Sequence, residues 1–316
     1  MTRFSLTFLG TSAAIPTRER GLAATVVQHG GHTLLVDCGE GTQRQLRASR
    51  VGLVSVDAVL LTHLHGDHCL GLIGLLKSYD LLGRTKSLLV TGPAGLLAFI
   101  DLIAPLVGPV GFEVTTQELA PGEEVTGLGG RAAQGMGICG YATRHAVPSV
   151  GYRFHEPDRP GVFDPARAQA LGLRPGPDYA ALQARQPVRH GGRWISPEQV
   201  VGPTRPGRLV VLTGDTEPCH ATVEAARGAD LLVHEATFLA DDRQRARQVQ
   251  HTCADEAARI AAEAGVRSLA LTHLSAKVSP VDVLAQARAV FADCFVPNDL
   301  DQVEVAYPSR DEPLSP

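Results

Sequence analysis

The chain has 316 residues, of which 44% are hydrophobic and 20% are charged, as is typical of a globular protein with a substantial core. A formal net charge of −4 excludes a general positive field, so a nucleic-acid partner requires a local basic patch. The most apolar segment, residues 95–112, contains Asp101, Pro105 and Pro109, which excludes a membrane span. We therefore expect no membrane partner.

The first third of the sequence predicts strands that alternate with helices. Phe4, Leu6 and Phe8 alternate with polar neighbours, which predicts a half-buried strand. Residues 25–36 predict a β-hairpin that turns at Gly30-Gly31. Apolar runs predict further strands over residues 58–61 and 87–90, and helices over residues 42–49, 70–82 and 94–103.

A cluster of metal-binding side chain types follows the strand predicted over residues 58–61. It reads Thr62-His63-Leu64-His65-Gly66-Asp67-His68, with three imidazoles and one carboxylate within six residues. His63 and His65 lie two apart, so they face the same side of an extended segment. Gly66 permits a turn that brings Asp67 and His68 to a second position. Because imidazole is the commonest transition-metal ligand, this spacing predicts two metal ions and not a polar surface loop.

The second half of the chain repeats the alternation of strands and helices. Residues 111–143 predict short strands and turns. Gly265 is a C-terminal cap signal, and Ser279-Pro280 opens the last helix. Strands are expected over residues 209–212, 231–233, 268–271 and 303–307, and helices over residues 218–227 and 253–264.

Four predicted strands end in a histidine or an aspartate, namely His63, Asp215, His234 and His273. In open α/β sheets, ligands collect beyond the carboxyl ends of the strands. Two halves of this kind predict two facing sheets with helices outside them, and a site along the edge that the sheets share.

Six scattered cysteines form no C-x-x-C pair, and the N-terminus carries no secretory signal; the cysteines are Cys38, Cys69, Cys139, Cys219, Cys253 and Cys294. We therefore expect reduced thiols and a cytoplasmic location. Residues 152–208 differ from both halves, since they are rich in proline and glycine and contain nine arginines against five acidic residues. They lack interleaved aromatic side chains, which favours phosphate contact over base stacking. Composition alone leaves a solvated insertion without function equally open.

Motifs along most of the chain resemble the metallo-β-lactamase superfamily and, within it, the ribonuclease Z family. H-x-H-x-D-H marks only the superfamily. The resemblance to the narrower family rests on Phe8-Leu9-Gly10-Thr11-Ser12, Asp37-Cys38-Gly39-Glu40-Gly41-Thr42, His145 with Pro148-Ser149-Val150-Gly151-Tyr152, Gly214-Asp215-Thr216, His234-Glu235-Ala236-Thr237-Phe238, His251-Thr252 and Thr272-His273-Leu274-Ser275. It implies an α/β fold, a four-layer αβ/βα sandwich that forms a single domain over residues 1–316, with a flexible arm inserted over residues 152–208.

The resemblance also implies the ligands of a two-metal site. Three side chains are expected to hold one ion, three the other, and one aspartate to bridge them: His63, His65 and His145; Asp67, His68 and His273; and Asp215. Taken singly, His145, Asp215 and His273 favour structural roles; their position at strand ends and the resemblance favour them as ligands. The donors suit zinc, two ions per subunit, with Mn²⁺ or another divalent ion as an alternative. Two ions that share one water lower its pKa from ~15.7 toward ~7.

Three side chains are expected to take part in catalysis. Asp67 accepts a proton from the attacking water. In the family, the histidine that corresponds to His251 lies near the scissile phosphate, where it donates a proton to the leaving 3′-oxygen or stabilises charge on phosphorus. Glu235 orients His251 and raises its pKa. Without the resemblance, His251 reads as a surface histidine at the start of a helix.

Two segments are expected to bind the substrate. The arm resembles the bacterial arm whose Gly-Pro motif, here Gly176-Pro177, grips the tRNA elbow from the partner subunit of a dimer. Residues 16–21 resemble the family's P-x-K-x-R-N loop, so Arg18 and Arg20 are expected to contact RNA. Gly21 in place of asparagine leaves the response to CCA open. Asp178 and Gln183 stand where basic residues are common, so the arm is expected to grip less tightly or to use other arginines.

The expected function is that of a zinc-dependent endoribonuclease that cuts precursor tRNA 3′ of the discriminator and leaves a 3′-hydroxyl and a 5′-phosphate. We expect a homodimer with no DNA partner. One alternative is a phosphodiesterase or arylsulfatase of the same fold for small substrates, which has no use for the arm. A second is a metal-dependent RNA-binding protein without turnover, against which the complete ligand set argues.

Overall fold

The computed structural model describes residues 2–53, 56–128 and 135–307. The chain divides into two compact units, of which the larger comprises Met1–His155 with Arg208–Pro316 and the smaller comprises Glu156–Gly207. None of the helices in the described ranges combines the length and the apolar character that a membrane crossing requires.

Strands and helices alternate along the chain. The strands are β1 (Phe4–Gly10), β2 (Ser12–Ala13), β3 (Ala24–His29), β4 (His32–Val36), β5 (Ala58–Leu60), β6 (Leu88–Gly92), β7 (Val114–Glu118), β8 (Gly137–Ala142), β9 (Val150–His155), β10 (Val188–His190), β11 (Arg193–Ile195), β12 (Leu209–Leu212), β13 (Leu231–Glu235), β14 (Leu269–Thr272), β15 (Leu274–Ser275), β16 (Cys294–Phe295) and β17 (Gln302–Glu304). The helices are α1 (Thr42–Ala48), α2 (Gly66–Cys69), α3 (Gly71–Leu81), α4 (Leu96–Val107), α5 (Pro165–Ala170), α6 (Pro177–Gln183), α7 (His220–Ala226), α8 (Arg243–Val249), α9 (Ala254–Ala264) and α10 (Pro280–Arg288).

Two mixed sheets form the centre of the larger unit. One has seven strands in the order β17-β1-β3-β4-β5-β6-β7, and the other has six in the order β16-β14-β13-β12-β9-β8. Parallel pairing of β4, β5 and β6 in the first sheet and of β12, β13 and β14 in the second makes these strands end at the same edge of their sheet. This topology brings the segments that follow β5, β12 and β14 to the carboxyl edges of the two sheets.

Three apolar clusters arrange the larger unit in four layers. The first lies between the two sheets and includes Phe8 and Leu60 from one sheet with Phe154 and Leu212 from the other. The second joins the outer face of the seven-stranded sheet to α1, α3 and α4, and the third joins the six-stranded sheet to α7, α9 and α10. The predicted αβ/βα sandwich is therefore confirmed.

Side-chain alternation explains why the inner strands read as continuous apolar runs. Leu34 and Val36 of β4 point into the core between the sheets, whereas Leu35 packs under the helices. Ala58 and Leu60 of β5 also face the inter-sheet core, while Val59 faces the helices. A strand with both faces covered has no polar face, because successive side chains point to opposite sides of the sheet.

The prediction that the first strand is half-buried is wrong. All seven residues of β1 are buried, including Ser5 and Thr7. The reason is that both faces of β1 are covered: Phe4, Leu6 and Phe8 pack in the core between the sheets, and α1 packs on the other side. The last strand is also displaced, since β17 covers Gln302–Glu304 and not residues 303–307. The sequence did not predict β9 or α8.

The smaller unit has an apolar core of its own. Its helices α5 and α6 and its hairpin of β10 and β11 surround buried side chains that include Ala168, Leu182 and Val201. Its bounds differ slightly from residues 152–208. The difference at the start arises because β9 continues to His155 in register with β12. At the end, the guanidinium of Arg208 bonds to carbonyls of the larger unit.

Two buried tyrosines allow a matched test of the core. The Tyr152 hydroxyl donates to the carbonyl of Leu61, just before the histidine cluster, over 2.8 Å, whereas the buried Tyr79 hydroxyl has no hydrogen-bond partner. We expect Tyr152→Phe to lower the free energy of unfolding by about 1–3 kcal/mol, because it leaves a buried carbonyl unsatisfied. Tyr79→Phe removes no bond and is expected to be neutral or stabilising. Urea unfolding of both variants measures the difference, and equal losses would contradict it.

Candidate metal centre

Seven side chains converge at the carboxyl edges of the two sheets. Donor atoms of His63, His65, His145 and Asp215 lie within 4.8 Å of one another, and those of Asp67, His68 and His273 do the same. The two groups have the same membership as the two ligand sets expected from the sequence, with Asp215 assigned there as the bridge. The larger unit alone supplies all seven side chains.

Local backbone geometry explains how one short segment supplies both groups. His63 and His65 follow β5 in extended backbone, and Gly66 then begins the single turn of α2. The backbone N–H of His68 donates to the carbonyl of His65, which closes this turn and carries Asp67 and His68 to the second group. His145 follows β8, Asp215 follows β12 and His273 follows β14.

Asp215 lies between the two groups. Its Oδ2 atom is 3.6 Å from Nε2 of His63 and 4.0 Å from Nε2 of His145. Its Oδ1 atom is 3.4 Å from Nε2 of His68 and 3.3 Å from Nε2 of His273. Burial opposes ionisation of this carboxyl, but the neighbouring histidines outweigh burial and hold the pKa of Asp215 well below its ordinary value. Each oxygen of an ionised carboxylate therefore faces one group of histidines.

Asp37 and Thr62 orient two of the histidines. The hydroxyl of Thr62 donates to the Asp37 carboxylate, so its oxygen can only accept from Nδ1 of His63, 3.1 Å away. Nδ1 of His68 donates to Oδ2 of Asp37 over 2.8 Å. Since Nδ1 of both rings is bonded to these partners, Nε2 of His63 and Nε2 of His68 face the centre of the site.

Two other histidines are oriented in the same way. Nδ1 of His145 donates to the backbone carbonyl of Gln250 over 3.0 Å. The hydroxyl of Thr237 donates to Oε2 of Glu235 over 2.6 Å, so its oxygen accepts from Nδ1 of His273, 2.9 Å away. Partners of this kind fix the tautomer and the ring orientation of metal-ligating histidines.

The donor set fits divalent cations. Nε2 of His63 and Oδ1 of Asp215 are buried without a hydrogen-bond partner, and such atoms cost free energy unless something pairs with them. Burial also holds the pKa of His63 well below its ordinary value, so that the ring is neutral and able to coordinate. Neutral imidazoles and ionised carboxylates are the ligands of Zn²⁺ and related ions.

His251 lies beside the cluster and is held by Glu235. Its Nδ1 atom is 2.8 Å from Oε1 of Glu235, and its ring stacks on that of His273 with centroids 5.5 Å apart. Burial lowers the pKa of His251, but the carboxylates of Glu235 and Asp215 outweigh burial and raise that pKa to about 9. Glu235 also accepts from the backbone N–H groups of Thr216 and Thr252, which fixes the carboxylate in place.

The residues expected to bind substrate belong to neither group of donor side chains. Arg18 is exposed. The guanidinium of Arg20 instead donates to Thr11 Oγ1 and to the carbonyl of Pro297 within the larger unit. Gly176 and Pro177 begin α6 in the smaller unit.

Sequence reasoning missed most of the supporting groups. Asp37 directly follows β4, so the strand-end signal that singled out Asp215 applied to it as well. Thr62 directly precedes His63, and Thr237 lies three residues after His234. Neither position carries a sequence pattern that marks a threonine as a partner of a histidine. His234, by contrast, was grouped with the strand-end ligands, yet its Nδ1 bonds to the backbone carbonyl of Glu235 and it belongs to neither group.

Comparison with protein families and curated proteins places this geometry in context. Residues 18–134 match the model of the metallo-beta-lactamase superfamily. Ribonuclease Z of Methanosarcina acetivorans is 40% identical over 96% of this chain and 98% of its own length. Ribonuclease Z of Haloferax volcanii is 43% identical over 96% of each chain, and that of Myxococcus xanthus is 43% identical over 91% of this chain and 93% of its own.

Solved structures show the same fold. The metallo-beta-lactamase fold protein YhfI from Bacillus subtilis superposes with a TM-score of 0.69 at 22% identity, over 96% of this chain and 99% of its own. The short form of human tRNase Z superposes with a TM-score of 0.68 at 23% identity, over 96% of this chain and all of its own length.

Thr237 provides a test of the tautomer argument. Thr237→Val removes the oxygen that accepts from His273 Nδ1, so we expect affinity for a divalent cation to fall by roughly 10- to 100-fold. Thr237→Ser keeps the hydroxyl and is expected to stay near wild type. Competition with a chelator, with Zn²⁺ as the titrant, measures the affinity. Equal affinities of the valine and serine variants would show that the hydroxyl does not orient the ring.

Proposed function

The chain belongs to the ribonuclease Z family of the metallo-β-lactamase superfamily, and from this we propose how its site removes the 3′ trailer of precursor tRNA. The protein is a hydrolase, an endoribonuclease of that superfamily that uses a divalent metal. We place the cut 3′ of the discriminator, with a 3′-hydroxyl on the tRNA and a 5′-phosphate on the trailer. The observation that carries this proposal is the convergence of seven donor side chains, Asp215 among them, in a chain that matches ribonuclease Z over almost its whole length.

We propose zinc as the metal and two ions per subunit. His63, His65 and His145 would hold one ion; Asp67, His68 and His273 would hold the other; Asp215 would contact both. The all-nitrogen-and-oxygen donor set suits zinc, and the two orphaned atoms in the site support cations at both positions. When bound, such ions supply a hydroxide nucleophile at neutral pH and stabilise the charge on the phosphate.

The side chains around the ions handle the protons. Asp67 lies at the open side of the cluster, 15% exposed, and accepts the proton of the attacking water. As the bond between phosphorus and the 3′-oxygen breaks, protonated His251 donates its Nε2 proton to that oxygen. Glu235 keeps Nδ1 of His251 bonded, so that Nε2 faces the reacting group. Glu235 acts through His251 and is a positioning residue.

The smaller unit supplies remote binding in this proposal. Within Glu156–Gly207, seven arginines stand against five acidic residues, a smaller excess than in residues 152–208, because Arg153 and Arg208 belong to the larger unit. Trp194, 69% exposed, pairs across the hairpin with Arg189, and the two offer a stacking face beside a positive charge. Contacts of this kind on tRNA far from the cut contribute substrate choice and binding energy.

We also propose a homodimer that acts in the cytoplasm, where precursor tRNA is processed. Exposed leucines support the dimer: Leu81 of α3 is 76% exposed, and Leu102 and Leu106 of α4 are 73% and 71% exposed. Helices α3 and α4 pack against each other, so these side chains can form one apolar surface. Such a surface on a polar exterior marks an association site.

Incubation with zinc and two precursor tRNAs, one that encodes CCA and one that does not, tests the function. We expect cleavage 3′ of the discriminator in the precursor without CCA, and mapping of the product ends measures the position of the cut. Asp67→Ala is expected to lower kcat by roughly 10²-fold or more, since it removes a ligand and the proton acceptor. Persistent cleavage by purified Asp67→Ala would overturn the mechanism. Binding of precursor tRNA by wild type without any cleavage would favour the non-catalytic alternative.

Replacement of Glu156–Gly207 by a short Gly-Ser linker tests the remote binding. The linker can close the gap because His155 and Leu209 are paired residues of neighbouring strands. We expect kcat/KM for precursor tRNA to fall by about 10²-fold or more, whereas hydrolysis of bis(p-nitrophenyl) phosphate stays near wild type. Unchanged cleavage of precursor tRNA would refute the arm's role in binding tRNA.

A further inference from the structure

One partly buried carboxylate closes the loop that runs from Thr11 to Gly21. The hydroxyl of Thr11 donates to Oδ1 of Asp299 over 2.8 Å, and the backbone N–H of Gly21 donates to Oδ2 over 2.6 Å. Gln45 donates a second bond to Oδ2, over 2.8 Å. The two ends of the 11–21 loop are thus fixed to the two oxygens of the same side chain.

Arg20 completes this closure. Its guanidinium donates to Thr11 Oγ1, whose own proton goes to Asp299, and it also donates to the carbonyl of Pro297 over 2.7 Å. Arg20 thus donates to Thr11, and Thr11 in turn donates to the carboxylate of Asp299. This explains why Arg20 is committed to the protein itself, while Arg18 extends into solvent.

The turn that carries Asp299 is itself attached to β1. The backbone N–H of Leu300 donates to the carbonyl of Phe8, and the N–H of Phe8 donates to the carbonyl of Asp301. Leu300 has a φ of 70°, a left-handed conformation that a leucine adopts only when its surroundings impose it. Asp299 is therefore a rigid anchor for the 11–21 loop.

The 11–21 loop reaches the metal centre. The backbone N–H of Ala14 donates to Oδ2 of Asp67 over 2.8 Å, the same oxygen that lies 3.4 Å from Nε2 of His273. Ala14 has a φ of 55°, so its peptide is turned out of the usual region to make this bond. Beside it, Ser12–Ala13 pairs with Leu274–Ser275, directly after His273.

Partial burial raises the pKa of Asp299 above its ordinary value, even though three groups donate hydrogen bonds to the carboxyl. The ionised form is therefore less favoured in the folded chain than in the unfolded chain.

We propose that Asp299 is a positioning residue for the reaction: it holds the 11–21 loop so that the N–H of Ala14 orients the Asp67 carboxylate. The inference rests on the role of Asp67 in the proposed function. The Asp67 carboxylate needs one defined orientation, since it must contact an ion and receive a proton from the attacking water. Because the N–H of Ala14 is fixed on Oδ2 of Asp67, Oδ1 of Asp67 is left free to receive the proton.

Asp299→Asn tests this with little change in size. The carboxamide is neutral and offers one accepting oxygen, so its NH₂ group must face either the donors of Gly21 and Gln45 or Thr11, whose hydroxyl then has to accept from it as well as from Arg20; in both cases the charge-assisted bonds that fix the two ends of the loop are lost or weakened. In the zinc-loaded protein we expect amide hydrogen exchange in residues 11–21 to be roughly tenfold faster. We expect kcat on precursor tRNA to fall about 10- to 100-fold with little change in KM, because a small misplacement of a reacting group slows chemistry. Zinc affinity, measured by chelator competition, is expected to fall about tenfold.

Asp301→Asn is the matched control. It makes the same change in the same turn, but the Asp301 side chain accepts only from the N–H of Asn298 and does not reach the loop. Exchange, kcat and zinc affinity are expected to stay at wild-type values. Unchanged loop exchange or unchanged kcat in Asp299→Asn overturns the inference, even if the melting temperature falls. Failure of the wild type to cleave precursor tRNA refutes the proposed function instead, and exchange and zinc affinity still decide the role of Asp299.

Discussion

The site depends on hydrogen bonds that occupy one ring nitrogen in each of four histidines. Nδ1 of His63, His68, His145 and His273 is bonded to a hydroxyl, a carboxylate or a carbonyl, so that Nε2 faces the centre of the site. Without these bonds the rings could rotate or change tautomer. With them, four nitrogens point at the two oxygens of Asp215. The geometry of the centre is thus set by groups that never contact an ion.

The fold supplies these partners because both sheets bring strand ends to the same place. Asp37 and Thr62 come from the seven-stranded sheet, whereas Glu235 and Thr237 follow a strand of the six-stranded sheet. In each sheet a carboxylate takes the proton of a threonine hydroxyl, which then accepts from a histidine. The same device, a carboxylate, a threonine and a histidine, occurs on both sides of Asp215. Neither sheet alone holds a complete set of ligands.

Much of the fold and of the candidate site could be predicted from the sequence, because both leave local patterns. Apolar runs marked the strands, and H-x-H-x-D-H marked two groups of donors around one glycine. Ala14 acts through its backbone N–H and Gln250 through its backbone carbonyl. Almost every residue has these groups, so the sequence left no pattern for either role. Asp299 was missed because its partners lie far away along the chain, Thr11 by 288 positions. The burial of β1 depends on the helix layer that covers its second face, which the alternation of apolar and polar residues in β1 does not reveal.

The pairing of β1 with β17 has a consequence for how the protein is made. Strand β1 lies between β3 and β17, so the seven-stranded sheet lacks this edge partner until residues 302–304 have been made. The centre is also completed late, since His68 and His273 meet across 205 positions. Such non-local contacts form slowly, because the entropy of loop closure opposes them until the ends meet. A nascent chain on the ribosome therefore carries His63, His65, Asp67 and His68 as an incomplete chelator until His273 has been made.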